Sequence, residues 1–325
     1  MATITWNPKI KLILADVDET IADVYTDATP TMIEELNKLL QQDVVLFLVS
    51  GGGLQSIMDR VINKVTAELR HKLLVAHCSG AEVWGFDKTG GINNLPHYGL
   101  YDQKMSDEQK VEWRKIVDVI IKKYQLKLFE TMPPDEFVKQ SKGNLLAVMY
   151  VDRGPQITFE FTNSIDLSET QKCEIENKLS IQIPKHEGTY DLRIPVMEEL
   201  ANLYKKHRLP VVAKFGGIFA LDNPLEGVDK TLAIDYVLQN NDLLREMGLP
   251  EDILNRPESM EIWGDKFNQK KGGSDFNMCK AVPKSVRTID FRLEDYDGMQ
   301  EGYNIQIWDG EKHLHEGLLE YLQTK

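Results

Sequence analysis

Two aspartates separated by a single residue, Asp16 and Asp18, directly follow a short apolar run at 11–15. Two carboxylates that converge on one site raise each other's pKa, so one keeps a proton unless a divalent cation neutralises them. Carboxylate oxygens are ligands that suit Mg²⁺. Because an aspartate after a strand is also a common turn former, the pair alone leaves a structural interpretation open.

Ser50 ends a second apolar run and precedes three glycines and a predicted helix. Its hydroxyl and the amides that follow, beginning with Gly51, form an anion site of the kind found at helix N-termini. The run lacks the last glycine of the dinucleotide fingerprint and follows the second strand, which disfavours a nucleotide loop. A simple tight turn remains the alternative.

Lys230 and two further aspartates lie late in the chain. Lys230 is placed at the start of a predicted helix, where its charge is unfavourable unless an anion compensates or the side chain points into solvent. Asp265 follows Gly264 at the end of another apolar run, and Asp275 comes shortly after. A strand-end carboxylate beside a glycine is what a metal site needs, although one such pair indicates little.

Alternating strands and helices surround these residues. Strands are predicted at 11–15, 44–49 and 73–76, with helices beginning at Pro30 and covering 54–69. This alternation predicts right-handed βαβ crossovers and an α/β fold with a doubly wound parallel sheet. Ligands of such sheets bind at the carboxyl ends of the strands, where Asp16 and Ser50 both fall.

The pattern changes from about residue 98. Ser106 and Ser168 each open a helix with capping-box spacing, and strands at 145–151 and 156–161 form a predicted hairpin. These elements predict an α+β domain with an antiparallel sheet. The earlier pattern resumes with elements at 229–239, 260–263, 286–291 and 310–322, separated by a polar stretch of uncertain structure at 240–258. We therefore expect a core domain from 1–97 and 223–325 and an inserted domain at 98–222.

The composition excludes several classes of protein. The 325 residues include 42% hydrophobic and 27% charged residues, and 38 Lys and Arg against 51 Asp and Glu give a net charge of −13. This charge repels phosphate backbones and anionic lipids, so neither nucleic acid nor a membrane is expected as a partner. Three dispersed cysteines and the absence of a signal-like start predict a cytoplasmic protein without disulfides.

The order of the four motifs resembles that of the haloacid dehalogenase-like superfamily of phosphohydrolases. The family's DxDxT motif reads DVDET at 16–20, followed by Ser50, then Lys230, then Gly264-Asp265 with Asp275. The insertion resembles the larger α/β cap of the sugar-phosphatase branch, which includes Cof-like phosphatases, sucrose-phosphate phosphatases and phosphomannomutases. Three short segments also resemble that branch: Ser79-Gly80-Ala81, Gly227-Val228-Asp229-Lys230 and Ser274-Asp275-Phe276-Asn277-Met278.

The resemblance implies a Rossmann-like core with a cap and a Mg²⁺-dependent phosphatase that acts on a small phosphorylated metabolite, such as a sugar or polyol phosphate. It implies that Asp16 is the nucleophile that forms an aspartyl phosphate and that Asp18 is the general acid and base. The resemblance assigns phosphate binding to Lys230, Ser50 and Gly51. It assigns Mg²⁺ binding to Asp16, the Asp18 backbone carbonyl, Asp265 and Asp275.

Two departures from the family pattern concern the first and fourth motifs. Glu19 replaces a usual glycine, and Ser274 replaces a usual asparagine. A phosphomannomutase-like phosphotransferase is the nearest alternative, although the arginine that those mutases carry after the first motif is missing. A protein that binds phosphorylated ligands without turnover is a further alternative.

Other polar residues carry weaker signals. Lys142 and Arg193 are candidates for binding a second anionic group of the substrate, but structural or solvated charges are the expected interpretation. His313 and His315 lack a third metal ligand nearby in the sequence and indicate a surface helix. The substrate, the residues that recognise it and the oligomeric state are not fixed by the sequence.

Overall fold

The computed structural model describes residues 4–271, 273–292 and 301–325. The chain divides into two compact units. The first unit takes its described residues from Met1–Gly99 and Val228–Lys325, and the second unit is Leu100–Gly227. The predicted insertion at 98–222 overlaps the second unit over most of its length.

The strands and helices follow one another along the chain in three stretches. The first stretch contains β1 (Leu12–Ala15), α1 (Pro30–Gln41), β2 (Val45–Val49), α2 (Leu54–Arg60), β3 (Leu73–His77), β4 (Glu82–Gly85) and β5 (Tyr98–Gly99). The second unit contains α3 (Leu100–Lys104), α4 (Asp107–Lys123), β6 (Lys127–Phe129), α5 (Pro134–Ser141), β7 (Ala147–Asp152), β8 (Gln156–Glu160), α6 (Glu169–Leu179), β9 (Lys185–His186), β10 (Thr189–Tyr190), α7 (Arg193–His207), β11 (Lys214–Gly216) and β12 (Ala220–Pro224). The last stretch contains α8 (Lys230–Gln239), α9 (Asn241–Glu246), β13 (Met260–Gly264), α10 (Phe276–Lys280), β14 (Arg287–Asp290), β15 (Ile305–Ile307) and α11 (Leu314–Leu322).

The described residues of the first unit form an eight-stranded sheet with the order β15-β14-β13-β1-β2-β3-β4-β5. All neighbours from β15 to β3 are parallel, whereas β4 is antiparallel to both β3 and β5. The predicted α/β fold with a doubly wound parallel sheet is therefore confirmed. The antiparallel extension at one edge is a feature that the sequence reading missed.

Helices cover both faces of this sheet. Side chains of β1 alternate, so that Ile13 and Ala15 join one core with α1 and α11, while Leu12 and Leu14 join another with α8 and α9. All residues of β1, β2 and β13 are buried, which explains the continuous apolar character of β1 and β2; in β13 the buried Glu261 interrupts the apolar residues. Full burial of each large apolar side chain contributes about 1.5–3 kcal/mol. The carboxyl ends of these central strands are thereby held rigidly.

Two predicted helices differ from the structure. The predicted helix at 54–69 ends at Arg60, because β-branched Val61 leaves the helical region with φ −129°. Two short 3₁₀ segments, Ile62–Lys64 and Ala67–Lys72, replace its second half. The last helix begins at Leu314 instead of residue 310, since His313 is extended (φ −129°, ψ 173°) and forms the cap. The polar stretch at 240–258 contains α9 and two 3₁₀ turns.

The second unit contains a five-stranded sheet with the order β11-β12-β8-β7-β6. The predicted hairpin is formed by antiparallel β7 and β8, and Ser106 and Ser168 both form the predicted capping boxes. A fully antiparallel sheet is wrong, because β6 pairs parallel with β7. Helix α5 connects these two strands, and parallel neighbours require such a crossover.

Arg193 of the second unit is a buried structural residue. Its guanidinium pairs with Asp191 at 2.7 Å and donates to the backbone carbonyl of Ile218 at 2.8 Å. Lys142 is exposed in the left-handed conformation (φ 54°) that ends α5. Among the described residues, no helix is both long and apolar enough to cross a lipid bilayer.

Candidate active site

Asp16 and Asp265 lie side by side at the carboxyl edge of the first unit's sheet. Strands β1 and β13 pair in parallel with Ala15 opposite Trp263, so the residues that follow emerge at the same edge. The backbone N–H of Asp16 extends this pairing by donating to the Trp263 carbonyl at 3.0 Å. Both carboxylates are buried, with 7% of Asp16 and none of Asp265 exposed. The sheet thus brings two motifs distant in sequence together.

Lys230 connects Asp16 to a third carboxylate. It is the first residue of α8, whose N-terminus is capped by Asp229 accepting from Thr231 N–H at 2.9 Å. The lysine is buried (2% exposed), and its Nζ donates to Asp16 Oδ1 at 2.5 Å and to Asp275 Oδ1 at 2.7 Å. The interpretation of Lys230 as a solvated charge is therefore wrong.

Close backbone packing places the start of α8. Gly80 follows β3 with φ +96°, and a Cβ there would lie 2.8 Å from the Asp229 carbonyl oxygen. Glycine adopts this left-handed conformation without strain and allows the close approach. The Ser79-Gly80-Ala81 segment therefore fixes the helix end that carries Lys230.

Asp275 is held by backbone donors of the Gly264-Asp265 turn. Its Oδ2 accepts from the N–H groups of Asp265 at 3.1 Å and Lys266 at 3.0 Å. A Cβ on Gly264 would lie only 2.7 Å from this oxygen, closer than real Cβ atoms approach. The glycine of this motif is thus explained by the proximity of Asp275, which the sequence order alone does not reveal.

The electrostatics of this cluster favour an additional cation. Burial raises the pKa of Asp16 well above its usual value against the opposing charge of Lys230, and Asp275 and Asp265 raise it further. Burial and Asp275 together raise the pKa of Asp265 to about 7. Although burial lowers the pKa of Lys230, the two carboxylates it contacts outweigh this effect and hold it above its usual value. Lys230 balances one of the two carboxylates that it contacts, and Arg292 and Lys266 lie beside Asp265, yet the pKa values of Asp16 and Asp265 remain raised.

The donor set fits a hard divalent cation. Asp16, Asp265 and Asp275 each offer an oxygen, and these oxygens lie within 4.8 Å of one another. Asp265 Oδ1 is buried and has no hydrogen-bond partner among the described residues. Such an orphaned buried oxygen is costly unless something binds it. Carboxylates are suitable ligands for Mg²⁺, so the residues present fit the ion that the sequence predicts.

Asp18 lies apart from the three clustered carboxylates. Its Oδ1 accepts from Arg60 Nη1 at 2.6 Å, and Arg60 also donates to the backbone carbonyls of Thr26 and Asp23, both at 2.7 Å. Asp18 Oδ2 lies toward Gly52, where it would be 3.8 Å from an added Cβ. Arg60 therefore holds one oxygen of Asp18 while the other lies beside the glycine loop.

Ser50 ends β2 in a loop that adjoins Asp18. The side chain is fully buried, and its Oγ accepts from the Gly52 N–H at 2.9 Å, which leaves the hydroxyl proton available to donate. A Cβ on Gly51 would lie 3.6 Å from Ser79 Oγ. The backbone N–H of Ser79 donates to the Ser50 carbonyl at 2.9 Å. The loop is thus fixed against the turn that follows β3.

Sequence reasoning missed Arg60 and Arg292 and did not foresee the ion pair of Glu19. Arg60 and Arg292 contact the two predicted aspartates Asp18 and Asp265, and Glu19 forms an ion pair with Arg292. Arg292 follows the end of β14, which is the same kind of position that marks Asp16 and Asp265. The polar residue that follows the predicted strand at 286–291 could therefore have identified Arg292 as a candidate site residue, whereas nothing in the sequence marks Arg60.

Two other proteins are among the solved structures that share this fold. A haloacid dehalogenase-like hydrolase from Bacteroides thetaiotaomicron has a TM-score of 0.52 at 14% identity, over 97% of this chain and 98% of that one. A trehalose-6-phosphate phosphatase related protein has a TM-score of 0.51 at 12% identity, over 96% of this chain and 95% of that one. No protein-family model and no curated protein sequence matches the chain. The chain has the haloacid dehalogenase-like fold, which confirms the predicted resemblance at the level of the fold.

Proposed function

We propose that this protein is a Mg²⁺-dependent phosphatase that hydrolyses a small phosphorylated metabolite, with a sugar or polyol phosphate as the substrate class. The main support is the position of Lys230 Nζ, which bridges Asp16 and Asp275 next to Asp265. The proposed nucleophile, the proposed phosphate-binding ammonium group and the carboxylates that would hold the cation all lie at one buried edge of the sheet. The fold is consistent with this chemistry.

In this proposal Asp16 is the nucleophile. One of its oxygens attacks phosphorus, the bond from phosphorus to the leaving alkoxide breaks, and an aspartyl phosphate forms. Lys230, already in contact with Asp16, binds a phosphoryl oxygen and stabilises its charge. When bound by Asp16, Asp265, Asp275 and the Asp18 backbone carbonyl, Mg²⁺ would neutralise phosphoryl oxygens and orient the group.

Asp18 is the proposed general acid and base. It protonates the leaving alkoxide and then takes a proton from the water that hydrolyses the aspartyl phosphate. Because Arg60 occupies Oδ1, we assign the proton to Oδ2, which lies on the side of Gly52. Ser50 and the backbone N–H of Gly51 are proposed to bind the remaining phosphoryl oxygens.

We also propose that the second unit is a cap that selects the leaving group. This role is supported by its place in the chain, between the segments that carry Ser50 and Lys230. The net charge of −13 supports a small metabolite as the partner in place of nucleic acid or a membrane, and the dispersed free cysteines support a cytoplasmic location.

A phosphate-release screen tests the proposed function. Purified protein is incubated with sugar, polyol and nucleoside phosphates, with Mg²⁺ or with EDTA, and Asp16→Asn serves as the blank. Trehalose 6-phosphate belongs in the panel because one matched structure is a trehalose-6-phosphate phosphatase related protein. We expect Mg²⁺-dependent release from at least one compound. Release from none of them by folded protein would overturn the proposal.

Product analysis separates the two remaining activities. An isomerised sugar phosphate in place of free phosphate would identify a phosphotransferase of the mutase kind. Ligand binding that depends on Asp16, with no phosphate released in a single turnover, would identify a binding protein.

A further inference from the structure

Arg292 reaches from the end of β14 to the buried acidic cluster. Its Nη2 donates to Asp265 Oδ2 at 2.6 Å, and its Nε lies 3.2 Å from both that oxygen and the Asp265 backbone carbonyl. The same Nη2 also pairs with a carboxylate oxygen of Glu19. The guanidinium therefore joins the buried aspartate to the loop that follows β1.

Glu19 occupies a backbone conformation that suits glycine better. Its φ is +62°, which costs an ordinary residue of the order of 1 kcal/mol that glycine does not incur. Its backbone N–H donates to the Ala22 carbonyl at 2.7 Å, which fixes the loop. What Glu19 offers that glycine lacks is a carboxylate, and this carboxylate pairs with the same Nη2 of Arg292 that donates to Asp265.

The contacts of Asp265 are divided unevenly between its two oxygens. Oδ2 accepts from Arg292 and lies 3.7 Å from Lys266 Nζ, whereas Oδ1 is buried with no hydrogen-bond partner among the described residues. Holding one oxygen and the backbone carbonyl of the same residue restricts rotation of the carboxylate. Oδ1 is then the oxygen that can bind a cation without losing another contact.

We propose that Arg292, anchored by Glu19, is a positioning residue that orients Asp265 for Mg²⁺ binding. The inference rests on the proposed function, since the cation is part of it. A planar guanidinium presents its donors in a rigid fork that fixes the groups it contacts, whereas the ammonium group of a lysine is a compact charge on a flexible stem. Groups that orient metal ligands in this way typically change metal affinity 10- to 100-fold when they are altered.

The charge of Arg292 has an effect opposite to its positioning role. A positive group beside a cation site repels the cation and weakens its binding. A neutral substitution of Arg292 would therefore remove this repulsion of Mg²⁺ and the orientation of Asp265 at the same time. Arg292→Lys keeps the charge and removes the planar fork. Arg287 supplies the matched control, because it begins the same strand and pairs with the buried Glu261 at the other end.

Calorimetric titration with Mg²⁺ alone tests the proposal. We expect Arg292→Lys to weaken binding about 10-fold and Arg287→Lys to leave it within twofold of wild type, with melting temperatures recorded for both. Unchanged Mg²⁺ affinity in Arg292→Lys would overturn the positioning role. If wild type itself binds no Mg²⁺, the proposed function fails first, so the two failures are distinguishable.

Glu19→Gln gives a second, independent measurement. If Glu19 acts through Arg292, the losses in the two single variants will not add in the double variant, and the coupling will be at least about threefold. Fully additive losses would contradict the anchoring role. Should Arg292→Lys fail to fold, Glu19→Asp, which keeps the charge and shortens the reach to Arg292, decides alone, with weakened binding supporting the proposal and unchanged binding overturning it.

Discussion

Two buried carboxylates of the β13 segment differ in a way that separates a structural residue from a site residue. Glu261, near the start of β13, accepts from Trp263 Nε1 at 2.6 Å, Tyr321 OH at 2.8 Å and Arg287 Nε at 2.5 Å. Asp265, just after the strand, leaves Oδ1 without a partner among the described residues. Both are fully buried. Burial alone therefore does not indicate chemistry, whereas an unsatisfied oxygen beside other carboxylates does.

Among the variants proposed here, Asp16→Asn, in the same carboxylate cluster as Asp265, is expected to lower phosphate release most. It removes the proposed nucleophile, and loss of such a residue costs about 10⁴-fold or more in kcat. Lys230 keeps Asp275 as an ion-pair partner and the repulsion among the buried carboxylates falls, so stability should be largely kept. Phosphate release and thermal melting measure the two effects. Activity within tenfold of wild type would exclude Asp16 as the nucleophile.

Glu261→Gln is expected to lower the free energy of unfolding and to leave phosphate release nearly unchanged, the opposite of Asp16→Asn. Breaking a buried ion pair by altering one partner costs about 3 kcal/mol in the free energy of unfolding, because Arg287 loses its partner. The kcat/KM for phosphate release should stay within about threefold of wild type. Urea unfolding and steady-state kinetics test this together. A folded Glu261→Gln protein without activity would show that the structural assignment is wrong.

Mg²⁺ should stabilise the protein through Asp265 and not through Glu261. At a concentration 100-fold above its Kd, a ligand that binds only the folded state adds about 2.7 kcal/mol. Thermal melting with Mg²⁺ and with EDTA should show this difference in wild type and in Glu261→Gln. Asp265→Asn should reduce it strongly. An equal Mg²⁺ effect in Asp265→Asn would place the cation elsewhere.

His77 extends the comparison to a third buried titratable residue. It lies at the same sheet edge as the candidate site, yet both of its ring nitrogens have hydrogen-bond partners. Its Nε2 contacts Glu82 at 2.9 Å and its Nδ1 contacts Cys78 Sγ at 3.2 Å. Burial lowers the pKa of His77, but Cys78 and Glu82 outweigh this effect and raise it to about 9. A pKa above the unfolded value of about 6.5 stabilises the fold at low pH, and this contribution disappears as the pH rises through 9.

We therefore expect His77 to contribute about 3 kcal/mol of stability below pH 6.5 that is lost by pH 10. The measurement is the difference in unfolding free energy between wild type and His77→Gln at several pH values, since other groups also titrate at high pH. That difference should shrink between pH 6.5 and 10. Parallel pH curves for the two proteins would contradict the assignment.

Much of the fold and the cluster itself could be predicted from the sequence. Buried parallel strands are continuous apolar runs, so the strand ends that carry Asp16 and Ser50 were visible, and the helix start located Lys230. The Asp265 contact with Arg292 was not visible, because it depends on β14 lying next to β13. A single sequence does not contain strand order. The contact between Asp18 and Arg60 was missed for a related reason, since it joins two residues 42 positions apart, one in the loop after β1 and one at the end of α2.

The position of β1 also affects how the protein is made. Its two neighbours in the sheet are β2, which follows soon after, and β13, which comes far later in the chain. Lys230 and Asp16 are 214 residues apart. During synthesis on the ribosome, one hydrogen-bonding edge of β1 therefore stays unpaired until β13 has emerged. The nascent chain cannot assemble the buried carboxylate cluster early, and until then the unpaired edge of β1 can pair with another chain.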